Sequence, residues 1–268
     1  GDMLITRQQA QQLLDSLTNP TTPPTSLPRE NKWFPNIKYT IDPNAGYLPE
    51  NISRIHKAFS MWDNITCLNF IYVEPDNITE LTLFVTQDPD RPWMCSSYVG
   101  RQPGNTDNKQ YINIGLRCLH ALGITAHEIG HALGLLHHHQ RPDRDEYVTI
   151  LTENVNMPED FEFLPLAHID TSSVLYDYGS LMHYPPSAYS VDNTRDTIVP
   201  LDARMRNHMG QGSEVSFYDT LAINRAYCEN RCWKPIECKN GGYQDPTNCS
   251  RCICHELYTD SDLCDSIN

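Results

Sequence analysis

The sequence contains the run HEIGHALGLLH at residues 127–137, in which three histidines enclose one glutamate and two glycines. On an α-helix, His127 and His131 lie one turn apart and leave nearly the same face, so both imidazoles can reach one metal ion. Gly134 tolerates the positive φ with which many helices end, and the turn there lets His137 return as a third ligand. The spacing therefore predicts a helix that ends at this glycine and a metal site built from three imidazoles.

Glu128 is the candidate catalytic group within this run. It follows the first histidine at a different angle around the helix, so it cannot bind the metal as the histidines do. From there it can hold a water on the metal and take its proton. The full pattern, H-E-x-x-H-x-x-G-x-x-H, is the signature of the metzincin zinc proteases. The motif predicts one Zn2+ per chain, with Glu128 as the general base that deprotonates a zinc-activated water.

Length and charge narrow the class of protein. A chain of 268 residues can bury a core in one domain of about 200 residues and still carry a small appendage. The 34 acidic residues outnumber the 20 basic ones, and the net charge of -14 argues against nucleic acid or an anionic membrane as a partner. No apolar stretch approaches the roughly 18 residues of a membrane span, so we expect no membrane-spanning segment.

Cysteines and sequons indicate the compartment. Ten cysteines, an even number, predict disulfides and an oxidising environment. Four N-x-S/T sequons, at Asn51, Asn64, Asn77 and Asn248, are candidate glycosylation sites and agree with a secretory route. The chain begins with Gly1 and without a basic-then-apolar leader, which predicts a processed form that has lost its signal peptide. We therefore expect a secreted, extracellular protein.

The chain divides into three parts. Residues 1–30 combine a Gln-rich stretch, which predicts a short helix at 7–17, with a linker rich in proline and threonine. Residues 31–229 form the predicted folded domain. Residues 230–268 hold six of the ten cysteines and must be stabilised by disulfides, because so short a segment cannot build its own core.

Periodicity predicts the elements of the central domain. A helix should begin at Pro49, and four apolar residues at helical spacing form its core stripe: Ile52, Ile55, Phe59 and Trp62. A second helix, from 119 to about 135, carries the metal motif, and a late helix is expected at 218–227. Apolar segments predict five short strands: Ile37–Ile41, Leu68–Val73, Leu81–Val85, Cys95–Val99 and Tyr111–Gly115. Prolines and polar residues predict mostly irregular structure for the remainder of the second half.

Two longer segments resemble the astacin family of metzincins. The run HHHQRPDRD at residues 137–145 resembles the family's extended zinc signature, and YDYGSLMHY at residues 176–184 resembles its Met-turn segment. Shorter blocks at 95–101 and 210–228 match in the same order, so the resemblance covers about residues 31–229. It implies an α+β fold, namely a metzincin/astacin-like two-lobed catalytic domain with a twisted mixed sheet and helices, followed by a mostly irregular lobe.

The resemblance also implies roles for single residues. Met182 lies in the Met-turn, which forms an apolar floor beneath the zinc in astacins. Tyr184 corresponds to a tyrosine that binds the metal as a switchable fifth ligand and then stabilises the oxyanion. The strand that contains Cys95 and Tyr98 corresponds to the edge strand along which substrate binds. Asp2 resembles the aspartate of the F-x-G-D motif in astacin pro-segments, which binds the zinc in place of water and keeps the enzyme latent as a zymogen.

The cysteines follow the same resemblance. The last six resemble an EGF-like module of the kind found in roundworm astacins, which often continue into a CUB domain; here that domain would lie beyond residue 268. From the residues alone, six cysteines allow fifteen pairings, and a metal cluster is disfavoured because they form no two matched C-x-x-C knuckles. The resemblance implies five disulfides: Cys67–Cys228, Cys95–Cys118, Cys232–Cys249, Cys238–Cys252 and Cys254–Cys264.

Two positions depart from the family pattern in ways that affect function. His138 occupies the place of the glutamate that anchors the new amino terminus after activation. Gly212 stands where astacins carry an arginine associated with a preference for acidic residues just after the cleaved bond, and Arg204 or Arg206 is the candidate substitute. We expect His138 and His139 to support the ligands or to lie at the surface rather than to bind the metal.

These observations predict a secreted zinc endopeptidase that cleaves extracellular proteins. Collagens of a matrix or cuticle are candidate substrates, and a separate protease is the expected activator. The alternative is a zinc-bearing but inactive secreted glycoprotein that binds partners through its EGF-like tail. The presence of both Glu128 and Tyr184 favours the enzyme, since an inactive homologue needs neither.

Overall fold

The computed structural model describes residues 2–7, 9, 31–104, 106–156, 174–258 and 261–267. Most of the helix predicted at 7–17 and the whole linker that follows it lie outside these ranges. All ten cysteines and all of the predicted site residues lie within them.

Six strands form one mixed sheet in the first lobe, in the order β1-β5-β6-β4-β2-β3. Strand β5 runs antiparallel to β6 and parallel to β1, and the other neighbouring strands are parallel. The strands are β1 (Met3–Leu4), β2 (Asn36–Ile41), β3 (Asn69–Tyr72), β4 (Thr82–Thr86), β5 (Cys95–Tyr98) and β6 (Lys109–Ile114). The five strands predicted from apolar segments are therefore confirmed.

Helix α1 (Pro49–Asp63) and helix α2 (Leu122–Leu133) pack against each other and against this sheet. Three of the four predicted stripe residues on α1 are buried, and Ile52 packs against them from a partly buried position. Trp62 ties the two helices together, because its indole N–H donates to the Ala126 carbonyl at 2.9 Å. Among the residues that the structure describes, the main hydrophobic core cluster begins at Trp33, and Met3 is buried outside that cluster.

The second lobe is built around a smaller apolar cluster. Strand β7 (Val148–Ile150) pairs antiparallel with β8 (Ile198–Pro200), a pair that the sequence did not predict because three residues are too few to show an alternating pattern. Helix α3 (Phe217–Tyr227) follows, and its cap residue Ser216 accepts the N–H of Asp219. The two-lobed α+β fold is thus confirmed, and this strand pair and β1 are additions to the five predicted strands.

The C-terminal segment is held by disulfides and one short hairpin, β9 (Tyr243–Gln244) with β10 (Cys252–Ile253). It packs on α3 through an aromatic contact, since the rings of Phe217 and Tyr243 lie 5.5 Å apart. The structure contains the five disulfides that the family resemblance implies, three of them in this segment. Within the described ranges, no helix combines the length and apolarity that crossing a membrane requires.

Candidate metal centre and active site

Helix α2 carries two of the three histidines and places them in the protein interior. His131 and His137 have no exposed surface, and His127 is also buried. The helix ends at Gly134, whose φ of 105° is left-handed and whose N–H bonds to the His131 carbonyl at 2.8 Å. This is the turn that the glycine predicted, and it brings His137 back beside the two helical histidines.

The end of this ligand helix is fixed by two polar aromatic side chains. The indole N–H of Trp33 donates to the Ala132 carbonyl at 2.8 Å, and the Tyr227 hydroxyl donates to the Leu133 carbonyl at 2.7 Å. The last carbonyls of a helix lack partners within the helix. Both lobes therefore supply hydrogen bonds that hold the ligand helix in place.

Each of the three imidazoles is oriented by a hydrogen bond at its Nδ1 atom. The acceptors are the Leu181 carbonyl for His127, the Leu135 carbonyl for His131 and the Gln140 side-chain oxygen for His137, at 2.8, 2.8 and 2.9 Å. Oxygen atoms of this kind only accept, so each Nδ1 carries a hydrogen, and in a neutral imidazole the lone pair is then on Nε2. This is the arrangement by which metal-binding histidines are held.

The Nε2 atoms converge on one point. His131 Nε2 and His137 Nε2 are 3.2 Å apart, and His127 Nε2 is buried without a hydrogen-bond partner among the described residues. Burial lowers the pKa of His131 well below its usual value, and the neighbouring His127 and His137 add to this effect. Three neutral imidazole nitrogens that face one another suit Zn2+, which prefers nitrogen and sulfur donors in tetrahedral sites.

Asp2, which directly precedes β1, completes the cluster. Its carboxylate lies 3.0 Å from His137 Nε2 and 3.6 Å from His127 Nε2, and the ligand atoms of these residues and of His131 all lie within 4.8 Å of one another. A carboxylate that faces imidazole lone pairs at this distance is stabilised by a cation between them. The donor set therefore fits a divalent metal with three imidazoles and one carboxylate.

Strand β1 holds Asp2 in this position. Met3 pairs with Ser97 and Leu4 with Tyr98 in parallel register, and the Ser97 N–H donates to the Asp2 carbonyl at 2.9 Å. Strand β1 thus covers the outer edge of β5, the strand predicted to receive substrate. The side chain of Met3 is only 6% exposed, so β1 is buried as well as paired.

Glu128 lies on α2 directly after the first histidine and is 1% exposed. Burial of a carboxylate costs desolvation free energy, and buried carboxylates with such a cost are concentrated at functional sites. Glu128 follows the candidate ligand His127 in the chain, and its role as general base stays a prediction.

The Met-turn lies beneath the histidines. Met182 is 1% exposed, and a Cβ atom at Gly130 would lie only 2.9 Å from the Met182 sulfur. Glycine at this position, between the two helical histidines, therefore lets the methionine approach the ligand helix. The Met182 carbonyl also accepts the N–H of His138 at 2.9 Å. Met182 therefore packs against the ligand helix, and its role as the floor of the metal site stays a prediction.

Asp219 anchors this turn, a role that sequence reasoning did not assign. Its two carboxylate oxygens accept from the Ser180 hydroxyl at 2.6 Å and from the Leu181 N–H at 2.7 Å, while Leu181 orients His127. The same carboxylate accepts the N–H of Ser216 at the start of α3. Burial, followed by the proximity of Asp177, raises the pKa of Asp219 to about 6. The S-x-x-D spacing of Ser216 and Asp219 resembles a capping box, and this pattern is the sequence feature that could have indicated a structural role for Asp219.

Three further histidines surround the cluster without entering it. His138 Nε2 accepts the N–H of Asp177 at 2.8 Å, and burial followed by the charge of Arg141 lowers the pKa of His138 well below its usual value. His139 is buried and stacks on Tyr184, with ring centroids 4.2 Å apart. His183 is also buried, and burial lowers its pKa to about 4. The expectation that His138 and His139 support the site rather than bind the metal agrees with these contacts.

The proposed arginine substitutes are already engaged elsewhere. Arg204 pairs with Asp202 at 2.6 Å, and Arg206 pairs with Asp196 at 2.7 Å, each through two nitrogens. Bidentate pairs of this kind fix the guanidinium and neutralise its charge locally. The hypothesis that either arginine stands in for the one missing at Gly212 therefore finds no support in the geometry.

Comparison with known proteins gives a consistent family. The Astacin model, which describes a family of peptidases, matches residues 26–228. Zinc metalloproteinase dpy-31 of Teladorsagia circumcincta is 34% identical over 269 residues, which cover 97% of this chain and 42% of that protein. Zinc metalloproteinase nas-36 of Brugia malayi is 38% identical over 226 residues, which cover 83% of this chain and 37% of that protein. The chain thus spans about two fifths of the length of these relatives.

A solved structure shares the fold. High choriolytic enzyme 1, a hatching enzyme zinc-protease from Oryzias latipes (medaka fish), aligns with a TM-score of 0.61 and 29% sequence identity. The alignment covers 70% of this chain and 87% of that one.

Proposed function

Because the chain belongs to the astacin family of peptidases, we propose that it is a zinc-dependent endopeptidase that hydrolyses peptide bonds of extracellular proteins. The observation that carries the proposal is the convergence of three Nε2 atoms, each on an imidazole whose Nδ1 is held by an oxygen acceptor. We assign His127, His131 and His137 as the zinc ligands and Glu128 as the general base.

The side chains around the cluster divide the chemistry among them. Zinc, when bound, acts as a Lewis acid that polarises a water molecule and the carbonyl of the peptide bond. Glu128 accepts the proton of the attacking water and donates it to the departing amine, so one carboxylate serves both steps. Both proton transfers take place at Glu128, which is 1% exposed, and electrostatic interactions are stronger at a buried group than in bulk water.

Tyr184 supplies the second electrophile in the proposed mechanism. Its hydroxyl donates to Asp2 at 2.9 Å, and its ring packs against His137 and His139 at 4.5 and 4.2 Å between centroids. When the Asp2 carboxylate leaves, the same O–H can donate to the carbonyl oxygen of a bound peptide. That oxygen gains negative charge during attack, and a preorganised donor there stabilises the transition state.

We further propose that Asp2 keeps the full chain latent. Its carboxylate takes the place that water needs at the metal, and β1 covers the edge of β5 where substrate would add a strand. In the full chain, Asp2→Ala should raise peptide-cleaving activity by roughly ten- to a hundredfold, since loss of a charged hydrogen-bonded contact changes the free energy by about 1.5–3 kcal/mol. Rates of peptide cleavage by the full-length wild-type and variant chains measure this.

Trimmed forms that begin near residue 31 provide the control for the latency experiment. Trimming removes position 2, so the trimmed forms of the wild-type and Asp2→Ala proteins are identical and their cleavage rates must agree. Only the two full-length chains should differ in rate. Equal rates for the two full-length chains would show that Asp2 does not impose latency.

The three-part division predicted from the sequence is retained in this proposal. Residues 1–30 act as pro-segment and linker, 31–229 as the catalytic domain and 230–268 as an EGF-like module. Secretion is supported by the five disulfides, a pattern typical of oxidising compartments. Asn64, Asn77 and Asn248 are exposed glycosylation candidates, whereas Asn51 is half-buried and its side chain accepts the N–H of the residue that precedes α1.

Gelatin cleavage tests the proposed activity directly. Protein trimmed near residue 31 should degrade gelatin. A chelator should abolish the degradation until zinc is restored, because coordination of the metal by side chains is reversible. Gel electrophoresis of the products provides the measurement. Stoichiometric zinc without cleavage of gelatin or casein would instead support the alternative, an inactive glycoprotein that binds through its tail. Collagenous matrix or cuticle proteins are the more specific substrates to test next.

A further inference from the structure

Tyr189 has an unusual backbone conformation close to the metal cluster. Its φ is 53°, in the left-handed region that residues with bulky side chains rarely adopt. Four of the other non-glycine residues with positive φ in the described ranges are asparagines, which tolerate this region, and the remaining one is a cysteine. Asparagine or glycine would adopt this conformation at lower energy, so tyrosine occupies this position at a cost in backbone strain.

Hydrogen bonds on both sides of Tyr189 enforce the strained conformation. The Tyr189 carbonyl accepts the N–H of Asn156 at 2.9 Å, and the N–H of Val191 donates to the Asn154 carbonyl at 2.9 Å. On the other side, the Thr197 hydroxyl donates to the carbonyl of the preceding residue at 2.6 Å. Strain that the surroundings impose in this way is concentrated at functional sites in proteins.

The ring of Tyr189 lies next to the group that faces the peptide bond in the proposed mechanism. Its centroid is 5.8 Å from that of Tyr184, with 30° between the ring planes, and Tyr189 is 38% exposed. Tyr184 in turn contacts Asp2 through its hydroxyl. Tyr189 is therefore separated from the metal cluster by a single aromatic ring and still presents surface to a ligand.

We propose that Tyr189 is a specificity-determining residue whose ring forms an apolar wall of the cleft. It packs against an aliphatic or aromatic side chain of the bound peptide, next to the bond that is cleaved. This inference rests on the proposed endopeptidase function and deepens it, since it names the class of side chain that the site selects.

The test compares Tyr189→Asn and Tyr189→Phe in protein trimmed near residue 31. Asparagine relieves the backbone strain and removes the ring, whereas phenylalanine keeps both the ring and the strain. The substrates are peptides that differ only beside the cleaved bond, where they carry leucine, phenylalanine, glycine or aspartate. Tyr189→Asn should raise KM about tenfold for the leucine and phenylalanine peptides and less than twofold for the others, because one apolar contact discriminates by roughly ten- to two-hundredfold.

Asn193→Gly is the matched control. Asn193 lies four residues further on and also has a positive φ, 61°, but it has no ring to offer a substrate. Its variant should leave all KM values unchanged, and Tyr189→Phe should stay within twofold of the wild-type protein. Equal KM values for wild-type and Tyr189→Asn protein, or an equal loss on all four peptides, would overturn the proposal.

Peptide binding separates this inference from the proposed function. In a Glu128→Gln background, the dissociation constant of the fluorescently labelled leucine peptide should rise about tenfold on adding Tyr189→Asn, whether or not the wild-type protein turns substrate over. An unchanged dissociation constant would refute the role of Tyr189. A lower melting temperature in both Tyr189→Asn and Tyr189→Gly would assign the ring a structural role and also refute it.

Discussion

Glu128→Gln is expected to lower kcat/KM for peptide cleavage by about a thousandfold while zinc content stays unchanged. General acid–base catalysis contributes roughly a hundred- to ten-thousandfold in enzymes, and a glutamine amide cannot accept the proton of the attacking water. The substitution preserves the shape of the side chain at a position that is 1% exposed, so the fold should be retained. Cleavage of casein by the trimmed protein and metal analysis of the same sample provide the two measurements.

Two variants define what this result means. His131→Ala removes a ligand and should lose zinc together with activity, whereas Glu128→Gln should lose activity alone. Glu146→Gln makes the same chemical change at an exposed position and should leave both quantities unaltered. Undiminished casein cleavage by Glu128→Gln protein would refute the assigned mechanism.

Loss of the Cys67–Cys228 disulfide should have the largest effect on stability. The bridge joins residues 161 positions apart, and on the chain-entropy model a loop of this length stabilises the folded state by about 5 kcal/mol. It links the segment after α1 to the end of α3. Its removal therefore raises the conformational entropy of the unfolded chain over most of the central domain. Denaturant unfolding of the double variant with both cysteines replaced by serine, compared with wild type, measures the free energy.

The Cys254–Cys264 bridge is the matched control for this prediction. It closes a loop of only 10 positions, for which the same model gives about 3 kcal/mol, confined to the C-terminal module. Its removal should leave the unfolding of the catalytic domain and the zinc content unchanged. If both double variants destabilise the catalytic domain equally, loop length does not explain the effect.

Local patterns were sufficient for the elements that have strong periodicity. The stripe on α1 and the apolar strands β2 to β6 appear in the structure within one to three residues of the predicted bounds. The strand pair β7–β8 was missed, because three-residue strands contain too few alternations to be recognised. The helix with the metal motif is shorter than predicted and ends at the expected glycine, with Cys118–His120 forming a separate 3-10 turn before it.

The candidate site divides in the same way. Spacing predicted the cluster of His127, His131 and His137, because helical geometry and one glycine are enough to bring these side chains together. The catalytic role of Glu128 stays a prediction. The residues that hold the ligands were not found. Gln140 binds His137 through a single side-chain contact, and Asp219 reaches the Met-turn from 38 positions away. Such contacts leave no periodic signal in a sequence.

The sequence by itself determined that this chain has a three-histidine metal motif, with two histidines and a carboxylate on one helix and the third histidine after its glycine turn, because those relations depend only on local backbone geometry. The tertiary structure decided which distant groups complete the site. It brought Asp2 to the histidines by pairing β1 with β5. It also paired Arg204 with Asp202 and placed the strained Tyr189 beside Tyr184. These outcomes depend on packing between segments far apart in the chain, and no short-range rule specifies that packing.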